Sequence, residues 1–535
     1  MYDPELTATA RPPRPRISDE TAPAPSPGGA DYSSGNVTRL LCAGAYLDDG
    51  YRSSVIRELL TERYRQVAPS YGYDVVPVLG HALAAHKLRV YHALLICAGF
   101  CLFLMFWFTH VLGFVAALLL FAWSAWAASF LLRIVTLETL IREFKPAHAG
   151  SRGGFRGTYP RSDRLGPDRI AELMEQQDTD DGVIYYGGFI PFVGAGHQLG
   201  SWANTELLVQ APPNPLVDPE AGPEIDAGTR GSALIPFDVR EITDYVAEHL
   251  VADLHEQAEA PTRIEGLVVE RRRYTKAIAK HASGRIDAHL DVTQFHWEES
   301  YDAAREYLCI RIGSWDQEVV TSMFVGFDIK GSTLHTEFYP YVLPPIKDAF
   351  HLVDRLPDEL SRGLLGRLAL HSLRAMPAET IGTLLRPLAL RLPDSTNLAH
   401  RLDRRIAKGH RGSAAGDPSS LRLARYAGIR IDRGAHSSVR ELATLKELHH
   451  FFQQSDMLKY LQVVERSLLH VIEDFLREHN VDLADHRAAQ ANILNQSFGD
   501  VHNHGDGNIT SLGNRGRQGI RSTIARARGQ QEGTQ

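Results

Sequence analysis

The chain has 535 residues, a net charge of −7 and four cysteines. Its length leaves room for roughly two or three domains, and its acidic balance argues against general nucleic-acid binding, so we expect no nucleic-acid partner. The cysteines are too few and too scattered for a disulfide framework or a thiolate metal site; they are Cys42, Cys97, Cys101 and Cys309.

The N-terminal part changes in character at about residue 35. Residues 1–35 are rich in proline, alanine and serine and cannot bury enough apolar surface to become ordered, which predicts a disordered tail. Residues 36–88 show helical spacing of their apolar side chains and predict a small helical cap. Its last helix should run from about Val75 to Lys87 and lead directly into the next segment.

The longest apolar run, Val90–Leu132, contains 43 residues and no charged side chain. One helix of that length would measure about 65 Å, roughly twice the hydrocarbon thickness of a bilayer. Two helices of about Tyr91–Phe108 and Val111–Leu132, turning at Thr109-His110, fit far better. The run therefore predicts a transmembrane helical hairpin over residues 89–133, with the lipid bilayer as the first expected partner.

Basic residues flank this run on both sides. Lys87 and Arg89 precede it, and Arg133, Arg142 and Lys145 follow it, whereas the connection between the two helices has no lysine or arginine. Positive residues stay on the cytoplasmic side, so we expect a two-pass protein of the cell membrane with both termini in the cytoplasm. The alternative is a buried helical hairpin in a soluble core, which is disfavoured because core helices of this length normally carry a polar stripe.

Residues 134–180 predict a helix extension and a linker, and residues 181–350 predict an α+β domain with an antiparallel sheet. Asp238, followed by Glu241, is a capping box that opens a helix through about Leu254. Lys330-Gly331 is a tight hairpin turn between two strands. The predicted strands are Val183–Tyr186, Glu206–Gln210, Tyr307–Ile312, Glu318–Asp328 and Ser332–Phe338.

A basic helical segment follows over residues 351–415. Between residues 360 and 412 the sequence has ten basic and three acidic side chains, interleaved with leucines. This composition predicts amphipathic helices that contact anionic lipid. A solvated basic face on an ordinary helical domain is the alternative, and the preceding membrane hairpin favours the lipid contact.

Residues 416–490 have a helical pattern. Ser455 is expected to cap a helix that ends at Glu478. Fewer than three heptads is short for an independent coiled coil, so packing on the chain's own domain is favoured over dimerisation. The apolar residues of the helix are spaced 4, 3, 4, 3 and 4 apart and form a heptad seam of Met457, Leu461, Val464, Leu468, Val471 and Phe475.

A glycine-rich loop, Gly187–Gly196, follows the first predicted strand. Closely spaced glycines let a backbone approach phosphates, which makes Gly194 and Gly196 candidates for binding a nucleotide or phosphate. Pro191 and the residues after Gly196 break both the Rossmann and the Walker patterns. A tight turn that needs positive φ explains the glycines without a ligand.

The sequence assigns no catalytic residue and no cofactor. It contains no serine nucleophile elbow, and neither His296 with its neighbouring glutamates nor His449-His450 has the spacing of metal ligands. His502 and His504 alternate with aspartates, which would place four ligands on one face of a strand, and they are the candidates for a divalent metal.

Residues 491–535 are expected to form a disordered tail with one motif, Asn492–Thr510. Within it, Gly499-Asp-Val-His502 and Gly505-Asp-Gly-Asn508 resemble the short amyloid signalling motifs at the ends of bacterial immune-like receptors and their effectors. The resemblance implies self-association through stacked strands with asparagine and glutamine ladders. An unstructured polar tail without this role is the alternative.

The whole chain resembles an uncharacterised membrane-protein family of GC-rich filamentous bacteria. The cues are Ala68-Pro-Ser-Tyr-Gly72 and Pro191-Phe-Val-Gly-Ala-Gly196, and only nine of the 57 basic residues are lysine, which is the arginine bias of a GC-rich genome. This resemblance implies no activity.

The sequence therefore favours a membrane-anchored cytoplasmic scaffold, sensor or signalling protein without an evident catalytic site. The alternative is a membrane-bound enzyme, or a nucleotide- or phosphate-binding protein, that uses Gly187–Gly196. A transporter or channel is disfavoured because two passes lack the buried polar residues that a pathway needs.

Overall fold

The structure of the chain, a computed structural model, divides into two compact units. The first comprises residues 1–61, 73–175 and 349–427, and the second comprises residues 62–72, 176–348 and 428–535. The structure describes residues 32–61, 65–109, 113–146, 155–162, 165–177, 183–212, 234–281, 295–297, 304–357, 360–389, 429–445 and 448–499.

Helices and strands both contribute to this described part, which makes the fold a mixed α+β structure. The helices are α1 (Asn36–Leu47), α2 (Asp49–Ile56), α3 (Val75–Phe108), α4 (Phe114–Glu143), α5 (Pro167–Gln177), α6 (Val239–Val251), α7 (Arg362–Ala389), α8 (Phe451–Glu478) and α9 (Ala484–Gly499). The strands are β1 (Val183–Tyr186), β2 (His197–Gln198), β3 (Trp202–Leu207), β4 (Leu267–Lys276), β5 (Ile278–His281), β6 (Phe295–Trp297), β7 (Arg305–Ser314), β8 (Val319–Lys330), β9 (Thr333–Leu343) and β10 (Ile429–Asp432).

The first unit begins with the short helices α1 and α2. The Asp48 carboxylate caps α2 by accepting hydrogen bonds from the backbone amides of Gly50 and Tyr51, at 2.8 and 3.1 Å. Helix α1 is buried along most of its length, and Gly44 faces the Phe350 ring so closely that an added Cβ would lie 2.2 Å from it. Both helices therefore belong to the core of the first unit, where they pack against α3 and the Phe350 side chain.

Helices α3 and α4 of the first unit form an antiparallel pair. His92 Nε2 lies 3.1 Å from Ser129 Oγ, and Gly99 faces the Ser124 hydroxyl. Each helix is long and apolar enough to cross a membrane. This confirms the prediction of two such helices.

The boundaries of this pair differ from the predicted ones. Helix α3 is continuous from Val75, so the last helix of the predicted cap and the first apolar pass are one element. Its first eleven residues, Val75–Ala85, are almost all buried, and large exposed apolar side chains begin at Val90. Helix α4 likewise continues past Leu132 to Glu143.

Helix α7 packs against α4 within the first unit. The Trp126 indole donates to the carbonyl of Ala369 at 3.1 Å, and Arg133 donates to the Ser372 hydroxyl at 3.3 Å and to the Glu379 carboxylate at 2.5 Å. The predicted basic segment, 351–415, is therefore an α-helix over 362–389, and its residues 390–415 lie outside the described part.

The second unit is built on a seven-stranded sheet with the order β1-β4-β7-β8-β9, in which β2 and β3 both pair with β9. All pairs are antiparallel except β1 with β4, in which Val183 lies opposite Arg273. The expectation of an antiparallel sheet is thus wrong at this edge. The long connection that includes α6 allows β4 to return in the same direction as β1.

The structure has a strand at each predicted position, and one of these strands starts four residues earlier than predicted. Strand β1 has the predicted bounds, and Lys330 pairs with Thr333 across the predicted hairpin turn, where Gly331 has a φ of +63°. Strand β3 covers Trp202–Leu207, four residues earlier than predicted at its start. Strands β10, β5 and β6 form a separate three-stranded sheet in that order.

Helices α6 and α8 cover one face of the large sheet. Asp238 caps α6 as predicted, because its carboxylate accepts from the Glu241 amide at 2.8 Å. Helix α8 begins four residues before the predicted cap Ser455, and the Gln453 side chain accepts from the amide of His450 at its start. Buried members of the heptad seam pack inside this unit; they are Met457, Val464, Leu468, Val471 and Phe475.

Helix α9 corrects the prediction for the C-terminal tail. The tail was expected to be disordered from residue 491, with β-forming residues from Asn492, but residues 484–499 are helical and Ile493 is buried. The rest of the amyloid-like motif, 500–510, lies outside the described residues, and self-association through it stays a prediction.

A buried ion pair ties α9 to β3. His486 Nδ1 lies 2.8 Å from Glu206 Oε1, and His486 Nε2 lies 3.1 Å from the carbonyl oxygen of Leu469. Both ring nitrogens thus face acceptors, which favours the doubly protonated imidazolium. Burial acts to lower the pKa of His486, but the Glu206 carboxylate outweighs it, so the pKa lies above its ordinary value.

This pair predicts a pH-dependent stability. The raised pKa contributes a free energy of unfolding that is complete below the unfolded imidazole pKa of about 6.5 and is lost as the pH rises through the folded-state pKa. His486→Gln should remove this part of the pH dependence and cost about 3–5 kcal/mol, because Glu206 stays buried without its cation. Denaturant titrations between about pH 5 and 9 measure both effects.

His470→Gln is the matched control for this prediction. The His470 side chain is 64% exposed and lies 3.6 Å from Asp474 on the surface of α8. Because this side chain lies mostly in solvent, its loss should change the free energy of unfolding by less than about 0.5 kcal/mol. Equal pH profiles for His486→Gln and the parent chain would show that the buried pair does not carry a charge.

Candidate functional site

The face of the large sheet opposite α6 and α8 is aromatic. The strand registers place Tyr274 of β4, Tyr307 of β7, Phe324 of β8 and Tyr341 of β9 on this one face. Phe192, from the glycine-rich loop, lies in the middle of them and is buried. The loop thus docks on the sheet through an aromatic side chain.

Ring geometry fixes the position of Phe192. Its ring stacks on Phe324 with centroids 4.1 Å apart and planes tilted by 14°. The rings of Tyr274 and Tyr307 meet it nearly edge-on, each with a centroid distance of 5.1 Å. Such stacked and edge-to-face pairs are the favoured arrangements of aromatic quadrupoles, so this cluster holds the loop at a defined height above the sheet.

A cavity of about 300 Å³ lies between the loop and the aromatic face. Its walls are mainly aromatic and apolar, and the charged residues that line it are Lys276 and Arg305. Phe189 and Ile190 stand at its edge with 95% and 52% of their surfaces exposed. The complete lining is Tyr186, Phe189, Ile190, Pro191, Phe192, Gln198, Tyr274, Thr275, Lys276, Arg305, Tyr307, Tyr339 and Tyr341.

Gly326 shapes the floor of this cavity. A Cβ at this position would lie 2.6 Å from Cε1 of Tyr307, so only glycine lets the Tyr307 ring lie across strand β8. The Tyr307 hydroxyl donates to Glu337 at 3.0 Å. The ring is therefore held at both its face and its hydroxyl.

The phenol groups of the cavity are neutral hydrogen-bond donors near neutral pH. Burial, with the neighbouring Glu337 carboxylate, raises the pKa of Tyr307 above its ordinary value. Burial and the adjacent Tyr339 raise the pKa of Tyr341 to about 12. The Tyr307 hydroxyl already donates to Glu337, and neither phenol can serve as a base near neutral pH.

The two glycines predicted to bind phosphate face a carboxylate of the chain itself. The backbone amides of Gly194 and Gly196 donate to Oε1 of Glu441, at 3.1 and 3.0 Å. Oε2 of Glu441 accepts from the Ser438 amide at 2.7 Å. Burial raises the pKa of Glu441, and these amide hydrogen bonds oppose the rise.

Both glycines also have a conformational role. Gly194 and Gly196 have φ values of +89°, and a Cβ on Gly196 would lie 2.2 Å from the carbonyl oxygen of Val342. The turn explanation therefore accounts for the glycines, with Glu441 in the place that an anion would take.

A second polar cluster underlies the same face. Glu270 accepts from Arg272 and Arg311 at 2.7 Å each, and both guanidinium groups lie over the Tyr71 ring, 5.3 and 5.1 Å from its centroid. The adjacent Arg440 is fully buried. This cluster gives the resemblance cue Ala68–Gly72 a structural role, because Tyr71 is its centre.

The remaining candidate residues are histidines considered as metal ligands, and only some of them lie in the described part of the chain. His502 and His504 lie outside the described residues, so the predicted metal site stays a prediction. Across the described stretches, no three His, Cys, Asp or Glu side chains come together as metal ligands would. The rings of His449 and His450 are 6.5 Å apart.

Sequence reasoning missed most of this site. Tyr339 and Tyr341 alternate along β9, and that period-two pattern was the available signal for an aromatic face. Glu441 offered no signal, because more than two hundred residues separate it from the glycines it binds.

Comparison with known proteins identifies a family for the larger part of the chain. A family model described as an AbeC-like domain matches residues 201–511, which are 311 of the 535 residues. No curated protein and no solved structure matches the chain. The matched range includes β3 to β10 and α6 to α9, and with them most of the aromatic face.

The contact between Glu441 and the loop predicts the effect of removing it. Glu441→Ala should lower the free energy of unfolding by about 2–4 kcal/mol, because buried amides lose their acceptor. Hydrogen exchange at Gly194 and Gly196 should speed up. Glu441→Gln retains one carbonyl acceptor and should give a smaller loss.

Glu248→Ala, at an exposed position of α6, is the control for this prediction. It should leave exchange in the loop unchanged. Unaltered exchange at Gly194 and Gly196 in Glu441→Ala would contradict the assignment of Glu441 as their acceptor.

Proposed function

The chain belongs to the AbeC-like domain family, and we propose that it is a two-pass membrane protein with both termini in the cytoplasm. Its body would act without catalysis, as a sensor, scaffold or signalling protein at the inner leaflet. One observation carries the anchoring role: the apolar pair α3 and α4 has its large side chains exposed.

These exposed side chains run along both helices. A hairpin at the centre of a soluble core would bury them, whereas a bilayer would cover them. Several are aromatic, which suits the level of the lipid headgroups at the ends of the helices. Those with more than 40% of their surface exposed include Tyr91, Leu94, Leu95, Leu102, Met105, Trp107, Phe108, Phe114, Val115, Leu119, Leu120, Trp123 and Leu131.

Charges support the proposed orientation. Lys87 and Arg89 lie where α3 leaves its buried part, and Arg133 and Arg142 lie near the end of α4. The helices meet around Thr109, in a connection that has no lysine or arginine. By the positive-inside tendency, the ends belong in the cytoplasm and the connection on the far side.

Helix α7 supports the proposed contact with anionic lipid. The side of α7 that faces α4 is hydrogen-bonded to Trp126 and Arg133. Its other side carries exposed apolar residues, which are Leu370, Leu373, Ile381 and Leu385 and are spaced 3, 8 and 4 residues apart. Arg367 and Arg374 are exposed on the same side. An exposed face that mixes apolar residues with arginines suits a helix that lies in a membrane interface.

The aromatic cavity supports sensing over catalysis. Its lining offers rings, phenol donors and two cations, which are groups that bind. A nucleotide at the glycine loop would have to displace Glu441 from the amides of Gly194 and Gly196. For this reason the alternative of a phosphate-binding enzyme ranks second.

Topology is tested by reporters placed on each side of the hairpin. Fusions at Ser70 and Ser413 should both report a cytoplasmic location, and a reporter inserted at Thr109 should report the opposite side. A paired set of reporters, one active in the cytoplasm and one outside it, measures this. Opposite locations for Ser70 and Ser413 would rule out the two-pass arrangement.

The α7 contact is tested with a fluorescent label in lipid nanodiscs. In a cysteine-free background, a label at Ile381→Cys should be quenched by lipids that carry an acyl-chain nitroxide. The quenching should weaken when anionic lipid is replaced by neutral lipid, because each interfacial cation contributes about 1 kcal/mol. Leu352→Cys, at a half-exposed turn, is the control and should not be quenched. Equal quenching at both positions would contradict the proposed contact.

A further inference from the structure

We infer that the cavity between the glycine-rich loop and the sheet binds a small planar aromatic carboxylate. The inference deepens the sensing role proposed above, since it names the class of ligand sensed. Binding itself does not depend on the membrane topology.

The walls select a flat ligand. The Tyr307 ring lies across β8 because Gly326 has no Cβ to displace it, and Phe192 closes the inner end by stacking on Phe324. Tyr339 and Tyr341 line the cavity from β9. Aromatic walls favour a partner ring that can stack or meet them edge-on.

The volume limits the ligand to a small one. Sites for drug-sized ligands range over roughly 300–1,000 Å³, and this cavity, at about 300 Å³, is at the lower end. A bicyclic ring with one substituent is near the largest ligand that fits.

The charges select an anion. The charged residues that line the cavity are Lys276 and Arg305, both cationic. A carboxylate, Glu337, accepts from the Tyr307 hydroxyl at 3.0 Å and interacts with Tyr339, and Arg305 also bonds to Tyr307. Lys276 is therefore the cation that we assign to the ligand. Aromatic walls alone would also suit a quaternary ammonium ion, but two cations at the same site would repel it. A carboxylate on the aromatic ring satisfies both the walls and the cations.

The loop supplies a cover. Its far end is fixed by Phe192 and by the Glu441 bonds to Gly194 and Gly196, whereas Phe189 and Ile190 are exposed beside the cavity. Gly188, with a φ of +70°, begins this short stretch. A bound ring gives Phe189 an apolar surface to cover.

Full-length protein in neutral phosphatidylcholine nanodiscs tests the inference, with saturation-transfer NMR and titration as readouts. Three probes separate the requirement for a planar ring from the requirement for a negative charge. The probe 2-naphthoate is planar and anionic, 2-naphthamide is planar and neutral, and decalin-2-carboxylate is anionic and not planar. We expect 2-naphthoate to bind, and each of the other probes to bind at least about tenfold more weakly. Empty nanodiscs correct for partition into lipid.

Two variants locate the binding. Lys276→Met should weaken 2-naphthoate about tenfold or more and leave 2-naphthamide unchanged, because only the charged probe loses its cation. Lys330→Met, at an exposed lysine of the β8–β9 turn, is the matched control and should bind like the parent chain. Phe189→Ala alters an exposed side chain, so it should fold normally and bind both naphthalene probes more weakly.

Four outcomes would overturn the inference: no binding of 2-naphthoate, equal binding of 2-naphthamide, equal binding of decalin-2-carboxylate, or unchanged affinity in both Lys276→Met and Phe189→Ala. If 2-naphthoate binds but the topology test fails, only the membrane proposal is overturned. Cytoplasmic readings at Ser70 and Ser413 without 2-naphthoate binding would overturn only the ligand assignment.

Discussion

The second unit depends on how the connection between β7 and β8 is held in an unfavourable conformation. Trp315, Asp316 and Gln317 are consecutive residues with side chains and have φ values of +53°, +56° and +65°. Left-handed backbone costs such residues roughly 1–2 kcal/mol each. Arg440 offsets this cost, because its guanidinium donates to the carbonyls of Gln317 and Glu318 at 2.6 and 2.8 Å.

The same guanidinium joins three parts of the chain. It also donates to the carbonyl of Tyr71 at 2.6 Å, and Tyr71 in turn lies beneath Arg272 and Arg311. Burying a cation is costly unless hydrogen bonds compensate for the lost water, so these three carbonyls have little freedom to move. The next residue, Glu441, fixes the glycine loop. One short turn of residues 438–443 therefore sets the position of the loop relative to the sheet.

Local patterns predicted local structure well and distant contacts poorly. The alternation in β7, β8 and β9 and the Lys330-Gly331 turn identified the central strands, and the uncharged Val90–Leu132 run identified two long apolar helices. The end of the chain was misjudged: Asn492–Gly499 is rich in residues that disfavour helices, yet α9 extends through it. His486 and Ile493 explain the difference, since their burial against the unit supplies a stabilisation that intrinsic propensity does not include.

The candidate site was harder to predict because it depends on contacts between residues that are far apart in the sequence. The loop glycines suggested a phosphate, but whether their amides were available depended on Glu441, which no local spacing connects to them. The parallel pairing of β1 with β4 was hard to predict for the same reason. Each strand is recognisable in the sequence alone, but which strand it pairs with is set by tertiary structure. Fold class therefore followed from the sequence, whereas the identity of the site required the structure.

The two faces of the sheet show why this cavity lies on the aromatic side. On the helical face, branched side chains of Ile310, Leu308 and Val325 interdigitate with those of α6 and α8, which leads to close packing. On the other face, the rings of Tyr274 and Tyr307 meet Phe192 at steep angles, and the cover is a loop whose backbone also needs hydrogen-bond partners. Rings that meet edge-on leave wedge-shaped spaces that a loop fills less completely than a helix does. The space is therefore a consequence of using aromatic residues under a loop, and the half-buried Lys276 and the exposed Arg305 give its lining a positive charge.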